Sequence, residues 1–432
     1  MEGATTLAEE FITVTNEGFT PHVCDGVLLT PGVPVRVPTS FIGSYGGMAD
    51  LRFDFGELPD LLAGRTDEGA PVLDLFGPLS RVDGYGRHFL DLWQGLVDLG
   101  AAVNLRRTPR FRVDELYLNP EILQIAQNNR GRVPSRVAVS FTLPYDETIW
   151  NNRSLVKIVL TQFETTRMPE VHVRNINRCD HLIVTSSYQV KVCRDSGVTI
   201  PISVMTPGVD TDFFVPGERY DNQFRVLILG ALTGRKNPLG AIEIFRQASA
   251  DDPTWRLMIK SRLADGLDEV RAAIGDDSRI TLMVEDSHPD HVLHYYQSHD
   301  CLLWPSKGEG VGLPPLEALS CGLEVVCALN SGMLDFIDEK WAWPIETERT
   351  EAAGWPGNLN GFSREYVHQF GDVGEWWVPS QASAVEQLRS AHKAWKQGNG
   401  KGRLAADEVR RHHTLRHQAQ SVLDVVEVYL DR

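Results

Sequence analysis

Two α/β units, each a parallel sheet covered by helices, are what this sequence predicts, and three observations predict them. From Pro71 onward, strand-like and helix-like segments alternate, a pattern that implies parallel strands joined by helices. After the stretch Pro207 to Pro216 the same alternation starts again. The chain's 432 residues also exceed what one hydrophobic core usually serves.

The elements follow in order. Residues 1–66 read as a β-rich N-terminal extension, with short strands such as FITVT, VLLT and VPVRVP broken by Pro and Gly. Residues 67–215 read as the first α/β domain. PVLDLFG is a strand, Ser80 to Arg87 a glycine turn, and HFLDLWQGLVDLG an amphipathic helix ending at Gly100. Further strands are AAVNL, RVAVSF, LVKIVL, HLIVTS and ISVM. Residues 216–400 read as the second domain. It has strands at FRVLILG, WRLMIKS, RITLMV, DCLLWPS and LEVVCA and a helix from about Asn237 to Ser249. Gly354 to Pro379, rich in Trp, Gly and Pro, reads as loops on the domain surface or rimming the cleft. Helices are expected near Ala382 to Lys396 and Ala405 to Leu430. A ligand is expected between the two domains, at the carboxyl ends of their strands.

Composition sets outer bounds. Apolar content of 42% with 23% charged residues is ordinary for a globular protein. A formal net charge of −16 disfavours broad binding to polyanions, while a local basic cleft stays compatible with it. The opening MEGATTLAEE has no basic region leading into an apolar stretch, so a cytoplasmic location is expected. Apolar runs such as VLILGAL are too short to span a membrane and read as core strands. Six cysteines without a CxxC pair read as reduced, buried thiols.

The segment from Gly308 to Leu323, GEGVGLPPLEALSCGL, carries the most chemistry. Gly308, Gly310 and Gly312 permit positive φ and close backbone approach, so amides near Val311 and Leu313 can converge on one anion. Pro314 and Pro315 suit the first turn of a helix, where a missing N–H is harmless. The result is a candidate phosphate seat at a helix N-terminus, with Glu309 before the helix and Glu317 about one turn inside it. The other reading, a buried turn with one solvated and one capping glutamate, stays open on the glycine pattern alone.

Laid in order, four segments resemble a retaining glycosyltransferase of the GT-B fold, of the large group called family 4 or group 1. DCLLWPSKGEGVGLPPLEALSCGLEVVCALNSGMLDFI resembles its donor-site signature, including two glutamates with seven residues between them. RVLILGALTGRKNPLGAIEIF resembles the strand, phosphate loop and helix that open its C-terminal domain. TQFETTRMP, NRCDHLIVTSSYQVKVCRDSGV and ISVMTPGVDTDFFVP resemble the end of its N-terminal domain, and GPLSRVDGYGRHFLDLWQGLVDLG its first glycine loop and helix. The resemblance covers roughly Pro71 to Phe336. It implies two Rossmann-like domains facing across a cleft, with residues 401–432 a helix crossing back onto the N-terminal domain.

It also implies roles. Lys236 falls on the family's phosphate-binding lysine, with Arg235 beside it; the family arginine that usually follows the first strand's glycine is Ala231 here. Glu309 is implied near the transferred sugar, and Glu317 at the nucleotide's ribose. Amides across Gly310, Val311, Gly312 and Leu313 are implied at the diphosphate, and Gly84 and Gly86 across the cleft at the same diphosphate or the acceptor, with a tight turn between strand and helix as the other reading. Glu164 matches a family position that orients acceptor or sugar, with an ion pair to Arg167 as the alternative. The implied reaction needs neither a metal nor a cofactor, the nucleoside-diphosphate sugar being a co-substrate. Aligned N–H groups and fixed positive charge stabilise the leaving diphosphate.

Other signals have bland readings. Asp210-Thr211-Asp212 mimics a metal motif but lies in the linker, and the histidines at 288, 291, 294, 412, 413 and 417 lack the carboxylate or cysteine company of a zinc site. Gly230 and Gly234 lack the rest of a dinucleotide fingerprint, so NAD is not expected. The acceptor is open among glycans, small molecules, proteins and hydroxymethylated bases in DNA. Arg106, Arg107, Arg110 and Arg112 suit an anionic acceptor or a solvated loop. A nucleotide-sugar-binding or scaffold protein without turnover is the alternative to an enzyme, supported by Ala231.

Overall fold

The computed structural model describes residues 11–16, 22–24, 27–38, 51–54, 64–108, 117–129, 134–146, 148–218, 223–353 and 372–430. In the N-terminal extension, β1 (Phe11–Asn16), β4 (Pro34–Pro38) and β5 (Leu51–Asp54) form an antiparallel sheet in the order β4-β1-β5. Strands β2 (His22–Cys24) and β3 (Val27–Leu29) pair beside it as a hairpin. Val14, Leu29 and Val37 are buried, and the buried Asn16 amide donates to the Leu29 carbonyl at 2.8 Å. The expected β-rich extension is therefore a small sheet with its own apolar contacts.

The first α/β domain runs β6 (Val72–Gly77), α1 (Gly84–Asp98), β7 (Ala102–Arg107), α2 (Pro120–Asn128), β8 (Val137–Phe141), α3 (Thr148–Asn151), β9 (Val156–Thr161), α4 (Glu170–Ile176), β10 (His181–Val184), α5 (Ser187–Asp195) and β11 (Ile202–Val204). All six strands are parallel, in the order β11-β10-β9-β8-β6-β7. Order reverses between β6 and β8, and the carboxyl ends there open a crevice.

The second domain runs β12 (Arg225–Leu229), α6 (Pro238–Ala248), β13 (Arg256–Ser261), α7 (Leu267–Ile274), β14 (Ile280–Val284), α8 (Pro289–Gln297), β15 (Cys301–Trp304), α9 (Leu313–Ser320), β16 (Glu324–Ala328) and β17 (Trp343–Ile345). Its parallel order, β14-β13-β12-β15-β16-β17, reverses between β12 and β15. Continuous apolar runs such as LIL and CLLW are the mark of strands buried on both faces.

Glu375–Pro379 belongs to a strand rather than to the expected loop. As β19 it pairs antiparallel with β18 (Thr347–Ala352), and residues 354–371 lie outside the described residues. Alternation explains it: in EWWVP, Trp376 is buried while Glu375 is exposed. This hairpin reaches the other domain, where the Thr166 amide donates to the Glu375 carbonyl at 3.1 Å and the Glu375 amide to the Thr166 hydroxyl at 2.8 Å.

The last helical stretch is two helices, not one. Helix α10 (Gln381–Lys396) packs on α6, α11 (Gly402–His412) on α9, and α12 (Leu415–Leu430) on α1 of the first domain. The break at His413 and Thr414 is where the chain crosses back. There the Val209 amide donates to the His413 carbonyl at 2.9 Å, and His413 Nδ1 lies 3.0 Å from the Pro207 carbonyl. A Cβ at Gly208 would lie 2.6 Å from the Thr414 carbonyl, so only glycine lets the linker and the return pass so closely. Helix α12 buries Ala419, Val422, Leu423, Val425, Val426 and Tyr429 in the first domain's core, each large side chain contributing about 1.5–3 kcal/mol.

Among the described residues, no helix is long and apolar enough to cross a membrane. Cys179, Cys193, Cys301, Cys321 and Cys327 are unbridged and buried, and burial pushes the Cys179 and Cys193 thiols up to about 12.

Candidate active site

The two crevices face each other around a cavity of about 400 Å³. Its C-terminal wall comes from the residues following β12, β13, β14 and β15, and its opposite wall from Arg81 to Tyr85, Arg87, Gln162 and Glu164. Each of these stretches follows a parallel strand, so the sheets themselves place the side chains.

After β12 the chain turns through Gly230 and Ala231 to Arg235 and Lys236. The Lys236 and Asn237 amides donate to the Thr233 carbonyl at 3.0 and 3.2 Å. Asn237, at φ 58°, caps α6, and Pro238 follows at its first position, so the helix begins where the sequence places it. This turn aims Lys236 Nζ at the Glu309 carboxylate, at 2.6 and 2.7 Å from its two oxygens. Arg235 Nη1 donates to the Gly308 carbonyl at 2.5 Å and to Glu309 Oε2 at 3.1 Å. Ser306 Oγ adds a bond of 2.6 Å to Glu309 Oε1. Lys236 Nζ also sits 4.7 Å from the centre of the Trp304 ring.

These charges share one buried site and shift each other. Burial pulls the Lys236 ammonium down, and Arg235 adds to this; Glu309 opposes them, and the lysine settles at about 8. Burial pushes the Glu309 carboxyl up, but Lys236 and Arg235 outweigh it and hold the carboxyl below its usual range. Glu309 is therefore a fully ionised carboxylate at neutral pH, 5% exposed.

Gly312, at φ 92°, caps α9, as the glycine pattern predicts. Pro314 and Pro315 have no N–H, and the Leu316 amide donates to the Gly312 carbonyl at 3.3 Å. Of the four donors that a helix N-terminus normally leaves over, only that of Leu313 stays available to a ligand. The Gly310 carbonyl accepts from Thr185 Oγ1 and Gln189 Nε2, both at 3.0 Å, which locks the glycine loop to the first domain.

Across the cavity, α1 begins at Gly84, earlier than the sequence suggests. Asp83 is its cap: its carboxylate accepts from the Gly86 amide at 2.7 Å and from Ser80 Oγ at 2.5 Å. Gly84 and Gly86 are thus in the first helical turn and not in a loop. A Cβ on Gly86 would lie 2.6 Å from the Ser80 carbonyl, whereas one on Gly84 would meet only Leu313, at 4.0 Å.

Glu317 is 2% exposed, and both its oxygens are engaged. One is paired with Arg87 of the opposite domain, and the other accepts from Tyr296 Oη at 2.6 Å. Arg87 and Tyr296 are site residues that sequence reasoning missed. Arg87 had a signal, since it lies one helical turn after Gly84; Tyr296, in an amphipathic helix, had none.

Glu164 lines the cavity 3.7 Å from Arg235 Nη2, while Arg167 pairs with Asp372 at 2.5 Å, so the alternative Glu164–Arg167 pair is not formed. Arg106 pairs with the buried Asp74 at 2.8 Å and donates to the Asn129 carbonyl, holding strands together inside the first domain. Arg107 is exposed, and Arg110 and Arg112 lie outside the described residues. Asp210 caps its own turn, accepting from the Asp212 and Phe213 amides at 3.1 and 3.0 Å. His288 caps α8 and His417 bonds Thr414.

Residues 210–352 match the family model described as Glycosyl transferases group 1. The D-inositol 3-phosphate glycosyltransferases of Mycobacterium bovis and Mycobacterium tuberculosis are 30% identical over 172 residues, 37% of this chain and 36% of theirs. The chain thus spans about a third of the length of the curated relatives it matches. Solved structures are similar over far more of the chain. A glycosyltransferase from Rickettsia africae superposes with a TM-score of 0.60 at 12% identity, covering 84% of this chain and 99% of that one. Sucrose-phosphate synthase from Thermosynechococcus elongatus gives 0.59 at 13%, covering 83% and 99%. Anabaena HepE, solved with UDP-glucose, gives 0.56 at 11%, with the same coverage. The match to the group 1 glycosyl transferases spans residues 210–352, and the two domains together have the GT-B fold of the superposed glycosyltransferases.

Proposed function

We propose that the chain moves a sugar from a nucleoside-diphosphate sugar to an acceptor hydroxyl, with retention of anomeric configuration and without a metal ion. One observation carries this reading: Lys236, Arg235 and Glu309 meet the N-terminus of α9 at the point where both sheets reverse their order. The relatives' names support it, as does the UDP-glucose bound by HepE.

In this reading Lys236 and Arg235 neutralise the departing diphosphate, and the amides of Val311 and Leu313 approach it from one side and Gly84 from the other, the Gly86 amide being held by Asp83. Glu309 faces the transferred sugar, Glu317 takes the ribose hydroxyls and Glu164 orients the acceptor. The acceptor oxygen bonds to the anomeric carbon on the face that the diphosphate leaves, and a phosphate oxygen takes the acceptor's proton. No protein nucleophile is required.

The test is incubation of the purified protein with a panel of sugar nucleotides, with and without EDTA. Slow release of nucleoside diphosphate that EDTA leaves unchanged is expected. Binding without release, even with acceptors present, replaces the enzyme by a non-catalytic nucleotide-sugar-binding module.

Acidity gives a second handle. Phosphate binds the lysine ammonium, and Lys236 loses its proton near 8 in the free protein. Affinity for nucleoside diphosphate is therefore flat from about pH 7 to 8 and falls toward about tenfold per unit above that, as binding takes up a proton. Calorimetry across this range should show that proton uptake. An affinity independent of pH up to 10 would remove Lys236 from the diphosphate.

A further inference from the structure

We propose that Arg87 is a donor-binding residue, handed from Glu317 to the diphosphate when the ribose hydroxyls take the Glu317 carboxylate. This rests on the donor reading above and adds a residue and an order of events to it.

The Glu317 carboxylate is buried and accepts from two donors that differ in kind. Tyr296 is fully buried in the same domain. Arg87 comes from the other domain, and its guanidinium lies on the cavity wall. A ribose diol offers a carboxylate two O–H donors, much as a guanidinium offers two N–H donors. The diol can replace Arg87 at Glu317 without leaving the buried carboxylate short of hydrogen bonds. It cannot leave the arginine unpaired, because a desolvated charge without a partner is costly.

Asp83 and Asp91 also act on Arg87, but the first already accepts from Ser80 and the Gly86 amide and the second from Arg81, which leaves the diphosphate as the anion without a partner for the released guanidinium. Helices α1 and α9 begin face to face, with Gly84 against Leu313. Arg87 lies about one turn inside the first, and Glu317 about one turn inside the second. Both helix N-termini point at the same space, so a phosphate there lies within reach of the side chain that now spans it. The second domain needs such a cation. Ala231 has no charge, and the Arg235 guanidinium is shared among Glu309, Glu164 and the Gly308 carbonyl. Arg87 supplies a planar fork from the opposite wall, suited to two phosphate oxygens.

The exchange makes the site selective for a nucleotide carrying phosphate. A nucleoside alone takes Glu317 and strands Arg87; a nucleoside diphosphate satisfies both. Calorimetry with uridine, guanosine and adenosine and with UDP, GDP and ADP tests this on the full chain. In Arg87→Ala the nucleoside that fits best is expected to bind a few-fold tighter, its competitor being gone. The matching diphosphate is expected to bind about tenfold or more weaker. Arg87→Lys keeps the buried carboxylate paired and guards against misfolding; its ratio of diphosphate to nucleoside affinity is expected between those of the wild type and Arg87→Ala. A simple strut between domains would shift both ligands in the same direction by similar factors, and that result overturns the proposal. If the wild type binds none of the nucleotides, the donor reading falls first and this inference with it.

Discussion

Lys236→Ala is expected to lower sugar transfer, or donor hydrolysis where no acceptor is supplied, by about 10²–10³-fold, the usual loss when one fixed electrostatic stabiliser of a transition state is removed. The lysine is buried with Glu309, pointed by the tight turn through Thr233 and backed by the Trp304 ring. Its charge is already desolvated before donor arrives, so none of its interaction with a departing diphosphate is spent on ordering it. Stability should change far less than turnover. Glu309 keeps Arg235 and Ser306 as partners after the substitution, so the carboxylate is not stranded. Lys236→Arg should recover only part of the activity, because a forked guanidinium does not fit the space of a point charge between two carboxylate oxygens. Steady-state rates with thermal unfolding as control decide the matter. Turnover within a few-fold of the wild type would show that charge at 236 is not part of the chemistry.

Gly308→Ala is expected to reduce turnover by about 100-fold for a different reason, the separation of the two walls. A Cβ at Gly308 would lie inside 3.0 Å of the Glu164 carbonyl, which belongs to the other domain. Gly310 is similar, its added Cβ falling 2.8 Å from Gln162 Cβ. Neither backbone yields easily, and the cheapest relief is for the domains to part. Parting moves Glu164 and Arg87 away from Lys236 and Glu309, so a half-site survives that still holds nucleotide weakly. X-ray scattering should show a larger radius of gyration for the variant, and turnover should fall while unfolding of the separate domains changes little. Gly84→Ala, where the added Cβ meets only Leu313 at 4.0 Å, is the control for domain separation and should keep the wild-type radius of gyration. Unaltered scattering and turnover in Gly308→Ala would refute the close approach.

Much of this was readable from residues near one another in sequence. The strands of both sheets follow from apolar runs, and the start of α9 from Gly312, Pro314 and Pro315, because these are local properties of the chain. Glu309 was recognisable as a carboxylate beside a glycine turn, and Lys236 through the resemblance of the loop that carries it. What escaped was partnership. Arg87 and Glu317 are 230 positions apart, and no local rule predicts that a helix in one domain answers a carboxylate in the other. Likewise Glu164 sits three residues from Arg167 but pairs with Arg235, because the turn between them faces the cleft on one side and Asp372 on the other. The start of α1 was misplaced because glycine suggests a turn, whereas the Asp83 cap lets a helix run through Gly84 and Gly86. The split at His413 and Thr414 was invisible because its cause, the linker at Gly208 and Val209, is two hundred residues away.

The return of α12 to the first domain has a consequence for how the chain is made. Residues 72–204 hold all six strands of the first sheet, yet part of the core over that sheet comes from 419–429. During synthesis, the apolar face of α1 emerges more than three hundred residues before the helix that covers it. The domain made first is therefore completed last, after the second domain has every strand of its own sheet. A nascent chain spends that interval with His88 lacking Gln418 and Gly95 lacking Leu415 and Ala419, and the apolar face of α1 is open to aggregation until α12 has been made.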